Sequence, residues 1–326
     1  MSSPQPAATP TTFTDLFALI TDNVQQVIQG KPEVVELALM CLVAEGHLLI
    51  EDVPGVGKTS LAKALSASIN CQWGRVQFTP DLLPSDVVGV TVWNRGRDLF
   101  EFRRGPIFAN IVLADEINRA SPKTQSALLE AMEERQITVD GTTYPLEAPF
   151  MVIATQNPIE HEGTYPLPES QLDRFLMRLS VGYPARASEI EILERHGEGS
   201  RLPDLAAVAS ALDVRRMAAA VRTVHIAPGI RSYFVDLADA SRRHRSLSLG
   251  MSPRATLALQ RASRAHAAAN GRNYVVPDDV KAVAVPVLAH RLLMAPDAQL
   301  TGADTKHVIG ELLAAVPVPS GRATAG

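Results

Sequence analysis

The stretch "LIEDVPGVGKTSLAKAL", residues 49–65, decides the fold class, because an apolar strand-like run gives way through a Pro/Gly turn to a helical pattern. Such a junction is an anion site. The first turn of a helix carries unpaired N–H groups and the positive end of the helix dipole, and glycines let a phosphate approach the backbone. Pro54, Gly55, Val56, Gly57, Lys58, Thr59 and Ser60 form the candidate loop. Lys58 would reach the β- and γ-phosphates, and the Thr59 hydroxyl would ligate Mg²⁺. The match to GxxxxGK[ST] lacks its first glycine, since Asp52 stands there. An ordinary strand-to-helix connection with a surface lysine would read the same over so short a span, so the rest of the chain has to decide.

At 326 residues with 46% hydrophobic content, the chain is long enough for two domains around a sizeable core. The polar, Pro-rich start "MSSPQPAATPTT" lacks a basic head and an apolar run, so residues 1–12 read as a disordered tail and not as a signal peptide. Apolar stretches elsewhere are too short or too interrupted to span a bilayer, and a cytoplasmic protein without membrane insertion is expected. The two cysteines, Cys41 and Cys71, sit in apolar segments without metal-ligand spacing and read as buried thiols. Any metal would therefore arrive with a nucleotide. A formal net charge of −4 offers no global attraction to nucleic acid. The one basic cluster, Arg242 to Arg245 in "SRRHRS", reads first as a solvated helix end.

Short apolar runs alternate with helical patterns from about Phe13 to Gly182, which predicts a parallel sheet covered by helices. The strand candidates are His47–Glu51, Cys71–Phe78, Asn110–Asp115, Phe150–Gln156 and Phe175–Val181. Several are continuous apolar runs, as strands buried on both faces must be. "PKTQSALLEAMEERQ" predicts an amphipathic helix opened by Ser121 and Pro122. Asp140 and Gly141 then separate two β-prone runs as a hairpin turn. Beyond residue 184 the chain turns to Ala/Arg/Leu-rich helices. The expected organisation is an α/β core over 13–184, a helical lid over 185–315 and a flexible tail over 316–326.

"IVLADEINRA" is an apolar strand that delivers Asp115 and Glu116 at its carboxyl end, where open α/β sheets bind ligands. Asp115 can hold the Mg²⁺ shell, and Glu116 can orient and deprotonate an attacking water. An acidic turn alone would be commonplace, but its pairing with GVGKTS makes that reading improbable. "FMVIATQNP" repeats the pattern: Gln156 and Asn157 end an apolar strand before Pro158, and Asn157 could hydrogen-bond a γ-phosphate or the lytic water.

Four longer stretches carry a family resemblance: "EDVPGVGKT" to Walker A, "LADEINRASPKTQSALLEAMEERQITVDG" to Walker B and its sequel, "VIATQNPIEHEGTYPLPESQLDRF" to sensor 1, and "GMSPRA" to sensor 2. From Phe13 to Leu293 the sequence resembles AAA+ ATPases, and within them the MoxR family. The resemblance implies an α/β sheet of order 5-1-4-3-2 with a small all-α lid, binding ATP and Mg²⁺. It implies that Arg174 of "QLDRF" is an arginine finger acting on an adjacent subunit, and that Arg254 of "SPRA" contacts nucleotide from the lid. Arg119 of "INRA" would lie near a subunit boundary. Val27 and Ile28 of "VIQG" would line the adenine pocket, although core packing explains them equally well. The hairpin at Asp140–Gly141 and the segment running from "LLPSDVVGVTVWN" to "FEFRRGPIF" resemble the clade's insertions. Arg104 replaces a proline common before "GPIF".

The function implied is ATP hydrolysis by a homo-oligomeric ring, expected to be a hexamer. Its output would be remodelling or activation of a protein partner, often a von Willebrand factor A domain protein or a metal-dependent enzyme. A nucleic-acid motor and a nucleotide-gated scaffold are the rival readings. The near-neutral composition weighs against the first, and the set Lys58, Asp115, Glu116 and Arg174 weighs against the second.

Overall fold

The five apolar runs form one parallel sheet in the computed structural model of the chain, which describes residues 12–157, 163–183, 186, 189–190, 205–300 and 302–319. Helices α1 (Phe13–Gln25) and α2 (Pro32–Val43) precede β1 (Leu48–Glu51). There follow α3 (Lys58–Ser68), β2 (Trp73–Gln77), α4 (Pro84–Val88) and the hairpin β3 (Gly89–Asn94) and β4 (Leu99–Arg104). Next come β5 (Ile111–Asp115), α5 (Pro122–Glu134), a second hairpin of β6 (Gln136–Val139) and β7 (Thr142–Pro145), β8 (Met151–Gln156), α6 (Glu169–Leu172) and β9 (Met177–Leu179). The sheet runs β2-β5-β8-β1-β9. Counting only its own strands along the chain, this is the order 5-1-4-3-2 that the resemblance implies.

Period-two alternation sorts the strand side chains onto two buried faces. Leu48, Ile50, Ile111, Leu113, Met151 and Ile153 join α1, α2 and α3 in one apolar cluster, while Leu49, Val112, Ala114, Val152 and Ala154 join α5 in another. Burial on both faces is why these segments read as unbroken apolar runs. The last strand is shorter than its run because the Phe175 carbonyl is taken by His290 and Arg291 and not by the sheet ladder.

The Asp140–Gly141 turn has φ of 49° and 77°, the left-handed pair that a two-residue hairpin connection requires. The hairpins touch each other through Phe102 stacked on Tyr144 at 4.4 Å. At the other end of β3–β4, Trp93 and Phe100 pack edge to face at 4.9 Å and stay exposed.

The lid comprises α7 (Ala211–Thr223), α8 (Pro228–Arg242), α9 (Pro253–Ala269), α10 (Pro277–Leu288), α11 (Pro296–Leu300) and α12 (Thr305–Ala315). It also holds a short antiparallel pair, β10 (Leu247–Leu249) and β11 (Leu293–Met294). Its helices continue the apolar cluster of α1, α2 and α3, so core and lid share packing. No described helix is long and apolar enough to cross a membrane. Residues 1–11 and 320–326 of the expected tails, and Pro158, lie outside the described residues.

Candidate active site

All five strands are parallel, so their carboxyl ends converge on one edge of the sheet. There β1 ends at Glu51, and the chain turns through Gly55 and Gly57, with φ of 86° and 94°, into α3 at Lys58. A Cβ on either glycine would meet no atom within 4 Å, so nothing crowds the loop at these two positions. Left-handed φ is what reserves both positions for glycine. Lys58 starts the helix and its Nζ donates to the Asp52 carbonyl at 2.8 Å. The departure at Asp52 has a structural reason. Its buried carboxylate accepts from the Ser180 hydroxyl at 3.0 Å and the Gly182 N–H at 2.6 Å, tying the loop entry to the chain leaving β9.

Asp115 ends β5 on the face covered by α3, two residues beyond Leu113. One carboxylate oxygen accepts from the Thr155 hydroxyl at 2.7 Å, and the other meets the Arg75 guanidinium at 2.6 Å. Glu116 has φ of 57°, a strained value for a residue other than glycine. That twist turns its carboxylate toward Gln77 Nε2 at 2.9 Å and Arg119 at 3.1 Å, while its N–H donates to Thr155 at 2.8 Å. Asn157 is buried just beyond β8, the strand between β1 and β5, and so between the glycine loop and the two carboxylates.

Val27 and Ile28 follow α1. Ile28 is buried in the core and Val27 packs half-buried against it. Three residues after Ile28, Lys31 Nζ lies near Gly182, where an added Cβ would be 3.5 Å from it. Arg242 donates to the Met251 carbonyl and pairs with Asp239, whereas Arg243 and Arg245 are exposed at the end of α8. Arg104 lies over the Phe108 ring at 5.0 Å.

Arg174 and Arg254 are not brought to this edge. Helix α5 runs from the carboxyl end of β5 back toward the start of β8, so its last residues lie at the amino end of the sheet. His47, just before β1, bonds the Met132 carbonyl at 3.1 Å and confirms the direction. Glu133 there pairs with Arg174 at 3.1 Å and with Arg254, whose Nε is also 4.0 Å from Asp173. β1 alone, at roughly 3.3 Å per residue, separates the two ends by about 13 Å. The segment bearing Arg174 is fixed by buried Arg291 of the lid, which donates to the Asp173 carboxylate at 2.7 Å and to the carbonyls of Phe175 and Leu176 at 2.6 and 3.1 Å.

The carboxyl end thus offers a glycine loop with a lysine, a hydroxyl and a carboxylate on one sheet face, and a second carboxylate held aside by neutral and cationic partners. Thr59 and Asp115 are hard oxygen donors that suit Mg²⁺, and Arg75 already stands as a cation on Asp115. Sequence reading missed Arg75 and Gln77. Their signal was the alternation of "WGRVQ", which puts both on one face of the edge strand, opposite Leu113 and Asp115.

Residues 47–177 match the family model described as ATPase family associated with various cellular activities (AAA), and residues 239–312 match the AAA lid domain. The chain is 47% identical over 304 residues to the protein YeaC of Bacillus subtilis, covering 93% of this chain and 95% of that one. It is 41% identical over 306 residues to Chaperone MoxR1 of Mycobacterium tuberculosis, covering 91% and 81%. A solved structure from Cytophaga hutchinsonii, described as a candidate ATPase, is similar with a TM-score of 0.89 at 37% identity, covering 94% of this chain and 96% of that one.

Proposed function

The chain belongs to the MoxR family of AAA+ ATPases, and on that premise we propose that it is a Mg²⁺-dependent ring motor whose ATP hydrolysis remodels a protein client. The core of this reading is residues 13–184, with 185–315 as its lid. Pro54 to Ser60 hold the phosphates, with Lys58 supplying the charge and the α3 N–H groups the direction. Thr59 and Asp115 would hold Mg²⁺, which would supply positive charge to offset that of the phosphates. Glu116 orients and deprotonates water once it leaves Gln77, and Asn157 aligns that water or the γ-phosphate. Val27 and Ile28 border the adenine.

The observation that carries the reading is the separation of Arg174 and Arg254 from the glycine loop of their own chain. Both lean on Glu133 at the amino end of the sheet. A second copy placing that end against the first copy's loop would complete the site, which makes the ring, taken as a hexamer, part of the chemistry. Developing γ-phosphate charge is then stabilised across the interface.

The client is read as a cytoplasmic protein, of the von Willebrand factor A class that the resemblance implies. Support comes from the relative named a chaperone and from the exposed Trp93–Phe100 pair on β3–β4. A net charge of −4 gives no counterion-release drive toward nucleic acid.

The test mixes Arg174→Ala with Glu116→Gln chains. Each alone should be inactive, and mixed rings should recover turnover at interfaces that pair an intact Glu116 with an intact Arg174. Absence of recovery in confirmed mixed assemblies rejects action across subunits. Immobilised Glu116→Gln protein should retain a client with ATP and release it with ADP, and equal retention in both states rejects the remodelling reading.

A further inference from the structure

A second group of cations lies beside the residues assigned above and takes no part in that reading. Where the chain leaves α2 at Ala44 and Glu45, the core meets α7 and α9, and a cavity of about 320 Å³ opens between them. Arg135 lines it from the end of α5, Arg222 from α7, and Arg261 and Arg264 from α9. Among the described residues, Glu45 is the only acidic side chain in the lining.

Part of this arrangement is structural. Arg135 donates to the Glu45 carbonyl at 2.5 Å, and Arg261 to the carbonyls of Ala44 and Glu45 at 2.6 and 2.8 Å. Cations at the negative end of α2 are favourable there. That explains two arginines and leaves two. Arg222 reaches Glu45 only at 3.4 Å with most of its side chain in solvent, and the buried Arg264 Nε has no hydrogen-bond partner. Four guanidinium groups thus face one carboxylate in a chain whose net charge is negative. Burial and the neighbouring Arg135 both act against the charged form of Arg261, as burial and Arg231 do against that of Arg264. An anion in the cavity would relieve this repulsion.

We propose that this groove between core and lid binds a linked polyphosphate anion, with Arg135 on the core and Arg222, Arg261 and Arg264 on the lid taking successive phosphoryl groups. Guanidinium forks match phosphate oxygens in pairs, and they remain charged at any physiological pH. The cavity has space for roughly ten water volumes, more than one phosphate needs. A linear chain of phosphates would offer a separate phosphoryl group to each of the four arginines that line the cavity. Because they come from both parts of the molecule, the occupant would fix the angle of lid to core.

The test uses the full chain carrying Lys58→Ala, so that the glycine loop no longer competes for phosphates. Tripolyphosphate, ATP, inorganic phosphate and a polyglutamate peptide are titrated calorimetrically at moderate salt. Tripolyphosphate should bind saturably and raise Tm, and adding Arg222→Ala with Arg264→Ala should weaken it at least ten-fold. Adding Arg174→Ala instead should leave it unchanged, which separates this groove from the 470 Å³ opening beside Arg174 and Arg254 that shares three of its arginines. Equal binding of ATP, lost in the same double variant, assigns a nucleotide's phosphate tail as the source, whereas tripolyphosphate binding alone assigns free polyphosphate. Ligand-free melts of the alanine pair and of Arg222→Gln with Arg264→Gln verify folding. The proposal is overturned by no saturable binding of either phosphate chain, by affinity indifferent to both pairs of substitutions, or by polyglutamate binding as tightly.

Discussion

The two ends of the sheet are built on opposite plans. At the carboxyl end each functional group sits within a few residues of a strand terminus: Lys58 and Thr59 after β1, Asp115 and Glu116 at the end of β5, Asn157 after β8. At the amino end the charged groups converge from distant parts of the chain, with Glu133 from α5, Asp173 and Arg174 from the approach to β9, and Arg254 and Arg291 from the lid. The first end is a set of short motifs that a parallel sheet aligns automatically. The second exists only when core and lid pack correctly, so on the proposed reading it would report lid position to a nucleotide. Under the proposed action across two chains, catalysis would be conditional on assembly and on lid angle together.

The largest effect should come from the amino end. Arg174→Ala is expected to keep ATP affinity and to lose about 10³–10⁵ in turnover, the scale of an arginine that stabilises phosphoryl-transfer charge. Glu116→Gln, at the other end, should also keep affinity and lose about 10²–10⁴, the scale of a general base. Lys58→Ala should differ in kind, by losing tight ATP binding itself. Fluorescent-nucleotide titration and single-turnover hydrolysis on the three proteins make the comparison. Full-rate hydrolysis by Arg174→Ala would break it, leaving the amino end a structural feature only.

Legibility follows the same division. Gly55 to Thr59 could be read because a glycine loop entering a helix has a local pattern, and Asp115–Glu116 because a buried apolar strand announces where it ends. The hairpin at Asp140–Gly141 could be read because its left-handed turn restricts residue type. Asp52 read as a defect in a motif, since its partners Ser180 and Gly182 are about 130 positions away. Arg291 in "AHRLL" looks like any helix-end arginine, yet it is buried and bonded to Asp173, 118 positions earlier. Single-sequence patterns carry periodicity and capping, and they carry nothing about which distant backbone carbonyls a buried guanidinium will meet.

The amino end should also make stability depend on pH. Val152 N–H donates to His47 Nδ1 at 3.0 Å, so Nε2 carries the proton that meets the Met132 carbonyl. Burial, with Arg135 adding to it, lowers the His47 pKa to about 3. Between that value and the unfolded value near 6.5, the unfolded chain holds a proton that the folded chain does not. Stability is therefore full above about pH 6.5 and falls by about 1.4 kcal/mol per pH unit below it, until the folded pKa is reached. His290, also held well below its usual range by burial, adds in the same direction. Urea unfolding at pH 7, 6 and 5 measures the slope, and His47→Gln should reduce it. A flat profile over that range would mean that this end opens to water.

The smallest effect is expected from Arg75, and it sharpens the comparison most. Its guanidinium holds one oxygen of Asp115 at 2.6 Å, with 47% of its side chain exposed, whereas Arg291 at the other end is 3% exposed. An exposed pair contributes only about 0.2–1 kcal/mol, so Arg75 is a cation that a divalent ion can displace. Arg291 is one that nothing displaces without opening the fold. Arg75→Ala leaves that Asp115 oxygen without a competitor, and the Mg²⁺ concentration giving half-maximal ATP binding should fall by a factor of about 1.4 to 5, the equivalent of that energy. Turnover at saturating Mg²⁺ should not change, because Arg75 must already have moved by then. Arg75→Lys should lie between, as a point charge that pairs without the fork. A rise in the Mg²⁺ requirement would reverse the assignment, making Arg75 a group that organises Asp115 for the ion instead of one that guards it.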